Sequence, residues 1–486
     1  MVSPGMDVES RTRDIGRELF AAARRLERSA STEGWRDRLM MRWGMRDERL
    51  KAQLFRFVDV LPVLASSQQV NGHLREYLST VSDRLPPGAS SALRWLPDDG
   101  WLGRRVAEMA RTNARRMARR FIAATDLPEA VAAVKAMRAR NLAFTVDLLG
   151  EAVLSAREAE RYQGEYLSLI DGLSQASAYW PVVDSIDRDE SGNVIPPVNV
   201  SVKLSSLFSQ FDPIDPAGTS EMVRHRLRPI LRMAKERGAF VNIDMEQYAY
   251  KGVTLRIFKE VFAEEEFREW GDVGIAIQAY LKDCGDDLAN LAEWARKRGT
   301  PVWVRLVKGA YWDYETVVAG QNNWPMPVFA DKPATDANFE AQTQFLIERR
   351  DVLRPAIASH NIRSIAHSIA LAEARGLKPR GYEFQMLYGM ADPIKAALTE
   401  LGHRVRVYTP YGQLLPGMAY LVRRLLENTS NESFLRAGFL EHLPEEQLLM
   451  NPLEILRRKR NGSTSGNGHP RDSRSATPER AVEHFR

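Results

Sequence analysis

Residues 273–309, VGIAIQAYLKDCGDDLANLAEWARKRGTPVWVRLVKG, read as strand, helix, strand. Two short β-rich runs, VGIAIQAY and VWVRLVKG, flank DDLANLAEWARKRG, an amphipathic stretch of helix length that ends in Gly, a common helix C-terminal residue. The alternation continues outward in both directions. FTVDLLG, VNVSVKLSS and FVNIDME precede the unit, and PAIASH, YEFQMLYG and HRVRVYT follow it, with helical stretches such as TSEMVRHRLRPILRMAKERG between them. Eight strands alternating with helices over residues 141–435 predict an α/β fold of the (β/α)8 TIM-barrel type. A doubly wound open sheet is the alternative, but no G-x-G-x-x-G follows any strand.

Around the barrel, residues 1–10 are expected to be disordered and 11–140 to form a helical N-terminal region. Apolar positions recur at helical spacing in ELFAAARRLE and KAQLFRFVDVLPVLASS, where Pro62 should break or kink the helix. The Pro- and Gly-rich stretch 84–103 reads as a connection. Residues 104–124 carry arginines at 104, 105, 111, 115, 116, 119 and 120 around an apolar stripe of Val106, Met109, Ala110 and Met117, the pattern of a solvated face. The polar segment 183–197, VDSIDRDESGNVIPP, reads as a surface excursion between the first two strands. Beyond the barrel, 436–456 is expected to be a helical extension. Residues 457–486 have the Gly/Ser/Asn-rich composition of a flexible linker or tail, suited to leading to a further domain.

The hydrophobic fraction of 44% and charged fraction of 27% are those of an ordinary soluble globular protein. The net charge of +5 owes much to arginine runs at 104–120 and 457–460. With no zinc-ligand spacing and no recognisable nucleic-acid fold, it does not point to nucleic acid, whereas a basic surface suits peripheral contact with anionic lipid. The single Cys284 excludes an internal disulfide and fits a reducing compartment. The N-terminus lacks a signal-peptide core, and no apolar run approaches the roughly 20 residues of a membrane span. The expected location is cytoplasmic, within reach of the inner face of the cytoplasmic membrane.

In such a barrel the chemistry gathers at the C-terminal ends of the strands. Lys203, Asp244, Gln278, Arg305, His360, Asn361, Gln385 and Tyr408 fall at or near those ends. These types suit a ligand with anionic and flat parts. Arg305, Lys308, Lys332 and His360 would meet phosphates, aided by backbone amides around Gly309, and Tyr311, Trp312 and Tyr408 would pack against a ring. His360, His367 and His403 lie on separate elements, so no metal site is expected. There is no G-x-S-x-G elbow, and Cys284 lacks a catalytic partner pattern. A lysine at a strand end also admits Schiff-base chemistry, with Lys203 the first candidate and Lys308 the second. A barrel kept as a binding scaffold is the non-enzymatic alternative. In HRVRVYTPYGQLLPGMAYLVRRLLEN (403–428), Arg423 and Arg424 are adjacent on an apolar helix, a candidate carboxylate fork if they do not simply lie along its edge.

VSVKLS, NIDME, IQAY, VRLVKGAYWDYE, TDANFE, SHN, EFQMLYGM and LVRRLLEN occur in this order, and together they resemble the proline dehydrogenases. The likeness is greatest to the proline dehydrogenase part of the bifunctional proline utilization A flavoenzymes. It is strong over about 140–435 and looser over the helical 35–83 segment. The resemblance implies a distorted barrel with non-covalent FAD across the strand ends. It implies oxidation of L-proline to Δ1-pyrroline-5-carboxylate by hydride transfer to the flavin, with electrons passed on to a membrane quinone. By the same resemblance, Arg423 and Arg424 hold the proline carboxylate beside Lys203, Tyr408 packs on the ring, and Asp244 and Tyr311 complete the pocket. Glu151 matches an acid that pairs with the first of the two arginines. Gln278, Arg305, Val307, Lys308, Gly309, Trp312, Thr335, His360, Asn361, Gln385 and Glu427 match positions that line the FAD. Adjacent helical residues point about 100° apart, so two arginines on one carboxylate require the last helix to sit over the barrel mouth. No ribbon-helix-helix segment and no aldehyde dehydrogenase domain are recognisable, so the product is expected to pass to a separate or missing pyrroline-5-carboxylate dehydrogenase.

Overall fold

The computed structural model describes residues 7–29, 47–85, 88–150, 153–413 and 444–464. Its centre is a closed barrel of eight parallel strands in sequential order. These are β1 (Leu142–Leu148), β2 (Asn199–Val202), β3 (Phe240–Ile243), β4 (Val273–Gln278), β5 (Val302–Val307), β6 (Leu353–Ala358), β7 (Glu383–Leu387) and β8 (Arg404–Tyr411). β8 pairs back onto β1 along its whole length, which closes the sheet and leaves no edge. Helices follow the strands, as the alternating sequence predicts. Helix Cys284–Arg298, from the opening unit, ends at Gly299, whose φ of +83° is the left-handed cap that glycine adopts without a Cβ penalty.

Successive residues of a strand face opposite sides. In β1 the apolar Phe144, Val146 and Leu148 join the core shared with the helices. Thr145 and Asp147 alternate with them and bond to Ser201 and Lys203 on and after β2. The same division holds in β5, where Val302, Val304 and Leu306 enter that core and Arg305 reaches across the barrel to Ser201, Asp244 and Gln385. The barrel interior is therefore strongly polar, unlike the branched aliphatic layers usual in this fold.

Low in the interior, Glu383 accepts from Arg404 Nε at 3.1 Å and from Arg406 Nε at 2.9 Å. Burial alone would raise this carboxyl, but Arg406 and Arg404 outweigh it and bring it from 4.5 to about 2. A depressed carboxylate stabilises the fold above its unfolded value, and that contribution is lost as pH falls through the folded value. Glu383→Gln is expected to lower stability by about 1.5–3 kcal/mol at neutral pH. In urea titrations from pH 7 to 2, the gap to wild type should narrow below pH 4.5; a gap that is constant across that range would count against the triad.

The N-terminal region packs in two parts. Helix Val8–Ser29 buries Ile15, Leu19, Phe20 and Ala23 in the main core. It begins at Val8, inside the stretch expected to be disordered, because Asp7 accepts from the amides of Glu9 and Ser10 and caps it. A smaller core joins Phe57, Leu61, Leu64, Val70 and Ala107. The helix Glu48–Val60 gives way to a 3-10 turn, Leu61–Val63, at Pro62.

In helix Gly100–Phe121 the arginines at 104, 105, 115, 116, 119 and 120 are largely exposed, as a solvated face requires. Met109, placed in the apolar stripe by spacing, is instead 62% exposed, because Ala107 holds the buried position. Met117 lies outside the described side chains.

Two further expectations are corrected. Segment 183–197 is a surface excursion only in part: Asp184 and residues 191–194 are exposed, while Ile186, Asp187 and Ile195 are buried and help close the N-terminal end of the barrel. Asp187 takes a bidentate pair from Arg138 at 2.8 and 2.7 Å, and Ile195 packs with Phe240, Trp303 and Ala356. Residues 457–464 are not linker, since helix Pro452–Thr464 runs through them. The last helix and its placement over the barrel mouth lie outside the described residues.

Candidate active site

Parallel strands bring their C-terminal ends to one rim, and Lys203, Asp244, Arg305, Gln385 and Tyr408 meet there in one buried network. Lys203 follows β2 and Asp244 follows β3. The Lys203 ammonium donates to Asp147 of β1 and lies 3.5 Å from both Asp244 Oδ2 and the Tyr408 hydroxyl. Tyr408 donates to Asp244 Oδ2 at 2.6 Å. Arg305 donates through Nη1 to Asp244 Oδ1 at 2.6 Å, through Nη2 to Ser201 Oγ at 2.8 Å, and through Nε to Gln385 Oε1 at 2.6 Å. Its guanidinium carbon stands 5.0 Å from the Tyr408 ring centroid, within cation–π range.

Charge balance sets the protonation states. Burial would push the Asp244 carboxyl up, but Arg305 and Lys203 outweigh it and hold it below the usual carboxylate range. Burial would lower the Lys203 ammonium, yet Asp147, Tyr408 and Asp244 hold it well above its ordinary value. Burial raises the Tyr408 phenol, reinforced by Asp147 and Asp244, so its hydroxyl stays a donor. The mouth thus presents fixed cations and a fixed phenol, held by the carboxylates of Asp147 and Asp244.

The remaining described residues ring this network. Gln278 donates through Nε2 to Glu246 O at 3.0 Å, and its buried Oε1 has no partner among the described residues. Lys308 pairs with Asp336 on the helix Lys332–Glu348, where Thr335 is buried, and Val307 at the end of β5 is half-buried. Gly309 has φ +132°, and a Cβ there would fall 2.4 Å from the Tyr280 ring, so backbone alone can occupy that point. Tyr311 precedes the helix Trp312–Asn322 and packs against the buried pair Tyr280 and Leu281. Trp312 is 40% exposed and donates to Phe329 O at 2.8 Å. His360 Nε2 accepts from the Leu387 amide at 3.0 Å, and Asn361 caps the helix Ile362–Ala374. Glu151, Arg423, Arg424 and Glu427 lie outside the described residues. Cys284 is buried and burial pushes its thiol up, in line with its having no catalytic pattern in the sequence.

Asp147, Ser201 and Tyr166 belong to this site and do not stand out from strand ends alone. Tyr166 OH accepts from the Lys203 amide at 3.3 Å. The signal that points to Asp147 is period two: a lone acid in LAFTVDLL, at a position alternating with apolar residues, must face the barrel interior.

Comparison with known proteins agrees with this architecture. The N-terminal domain model of proline utilization A matches residues 9–121. The bifunctional protein PutA of Escherichia coli (strain K12) is 30% identical over 369 residues, which cover 74% of this chain and 27% of that protein. Proline dehydrogenase 1 of Bacillus subtilis (strain 168) is 29% identical over 67% of this chain and 91% of its own length. The crystal structure of proline utilization A from Bdellovibrio bacteriovorus, inactivated by N-propargylglycine, superposes with a TM-score of 0.84 at 41% identity. It covers 93% of this chain and 44% of that one. The chain therefore spans about a quarter of the Escherichia coli relative and under half of the Bdellovibrio one. The proline dehydrogenase family model matches residues 130–437, a span that holds every strand of the barrel and the whole polar mouth, and the chain belongs to that family.

Proposed function

We propose that this chain is an FAD-dependent proline dehydrogenase, oxidising L-proline to Δ1-pyrroline-5-carboxylate in the first step of proline catabolism. The observation that carries the reading is the buried junction of Lys203, Asp244, Arg305 and Tyr408 at the C-terminal rim of a family barrel. Proline offers a carboxylate and a saturated ring. Arg423 and Arg424 would hold the carboxylate beside Lys203, with Glu151 paired to Arg423. Tyr408 would pack on the ring, and Asp244 and Tyr311 would complete the pocket.

The rim also fits a flavin. Gln278 keeps a buried acceptor without a partner among the described residues, Gly309 leaves bare backbone at the end of β5, and Arg305 and Lys308, each paired with an aspartate, supply guanidinium and ammonium donors. Val307, Trp312, Thr335, His360, Asn361, Gln385 and Glu427 would complete the cofactor site. Bound FAD would supply the hydride acceptor, and this chain's residues would supply orientation and electrostatics.

A quinone is the proposed final acceptor, and a pyrroline-5-carboxylate dehydrogenase, on a separate or longer chain, the proposed consumer of the product. Peripheral membrane contact from the cytoplasmic side is supported by Trp95 and Trp101, 83% and 75% exposed, near the exposed Arg104 in sequence. Among the described residues no helix is long and apolar enough to cross a membrane. Schiff-base chemistry at Lys203 is disfavoured, because its carboxylate neighbours hold the amine protonated and non-nucleophilic.

The test is anaerobic. Protein supplied with FAD should show flavin absorbance, and added L-proline should bleach it. A protein that takes up no FAD, or a bound flavin indifferent to proline, would overturn the reading.

A further inference from the structure

Asp147 is 1% exposed on β1, where it pairs in register with Ser201, two residues before Lys203. Its Oδ1 receives the Lys203 ammonium, and its Oδ2 is buried with no hydrogen-bond partner among the described residues. Asp244, the other carboxylate beside Lys203, is committed elsewhere: Oδ1 to Arg305 and Oδ2 to Tyr408, both at 2.6 Å. The Asp147 charge is thus directed mainly at Lys203, while Asp244 shares its charge among several groups.

We propose that Asp147 is a positioning residue for proline oxidation, fixing the Lys203 ammonium at the barrel mouth and keeping it charged. This rests on the activity proposed above. A lysine side chain is long and flexible, and a buried one readily loses its proton when no anion faces it. The Lys203 side chain is only 11% exposed. Among the described residues, the charged and titratable groups around it are Asp147 on β1, Tyr162 and Tyr166 on the helix Ala156–Ser177, Asp244 after β3, and Tyr408 on β8, with Arg305 of β5 behind Asp244. Burial opposes the charge on Lys203, and the Asp147 carboxylate is the largest influence restoring it. For Asp147 itself burial outweighs the pull of Lys203 and leaves its carboxyl above the usual range, so the contact with the ammonium is what opposes its protonation.

The test uses the FAD-loaded enzyme and the pH dependence of kcat/KM for L-proline. Asp147→Asn keeps the shape and removes the charge. Deprotonation of Lys203 should then enter the assay range, moving the alkaline limb of kcat/KM acidward by about 1–3 pH units. Asp147→Glu keeps the charge but displaces it, so its limb should stay with wild type while kcat falls. In a Lys203→Met background, adding Asp147→Asn should change kcat/KM by less than about threefold, since Asp147 acts through Lys203. An active wild type with an unmoved Asp147→Asn profile, or an effect undiminished in the Lys203→Met background, overturns the role. If Asp147→Asn does not fold, an Asp147→Glu limb displaced from wild type overturns it, and one that stays with wild type supports it. A wild type that does not oxidise proline overturns the activity itself.

Discussion

Arg363→Met is expected to destabilise the protein by about 3–5 kcal/mol, the usual cost of removing one partner from a buried charge cluster. Arg363 is 3% exposed. It donates to both oxygens of Glu9 at 2.7 Å, to both of Glu340 at 2.9 and 3.0 Å, and to Leu449 O at 3.0 Å. Asn451 adds a bond to Glu9 at 3.1 Å. One side chain thus clasps the first helix and residues 449–451 to the barrel helices that carry Glu340 and Arg363. Methionine fills similar volume but leaves two carboxylates facing one another.

The acid arm should change with it. Burial would raise Glu9, but Arg363 and Arg13 hold it below its ordinary 4.5. Its contribution is therefore present above that value and is lost as pH falls through the lower folded one. Without Arg363 that slope should shrink to the share that Arg13 supplies. Urea unfolding of wild type and variant at pH 7 and at pH 3 measures both effects, and a variant within about 1 kcal/mol of wild type at pH 7 would refute the clasp.

Asp244→Asn is expected to lower kcat/KM for L-proline by about 100-fold, the scale of a misplaced reacting group, while the barrel stays folded. Asp244 holds Arg305 with one oxygen and Tyr408 with the other, and faces Lys203 at 3.5 Å. The amide keeps the size and drops the charge. It also replaces one acceptor oxygen with a donor, which then faces either a guanidinium or a phenol. Among the described residues of the network, Lys203 and Arg305 would remain with Asp147 alone to balance them. A dye-coupled assay with circular dichroism as the folding control reads this out. A loss under about threefold in folded protein would remove Asp244 from the site.

Much of the fold is legible in the chain itself. The eight strands, the helices between them and the polar strand ends follow from local rules of periodicity, chain punctuation and parallel-barrel geometry. Those rules pick out Lys203, Asp244, Arg305, Gln385 and Tyr408, and these residues do converge. Asp147 lies at least as near the end of β1 as Arg305 and Gln385 lie to the ends of theirs, and what marks it as interior is the period-two pattern of LAFTVDLL, which the strand-end reading did not use. The 183–197 segment is polar by composition, yet Ile186 and Ile195 are buried and Asp187 is neutralised by Arg138, 49 residues earlier. A burial that depends on a distant partner leaves no local signature.

By itself, then, the sequence determined the barrel, the order of its strands and the residue types at the mouth, because each of these follows from spacing along the chain, while the family rests on the resemblance that the eight ordered motifs carry. Tertiary structure alone decided which charges meet. Asp147 and Lys203 are 56 residues apart, Asp244 and Tyr408 164, and Glu9 and Arg363 354. Whether a buried charge is paired or stranded depends on distance in space and on the water excluded around it, and neither is written in any one stretch.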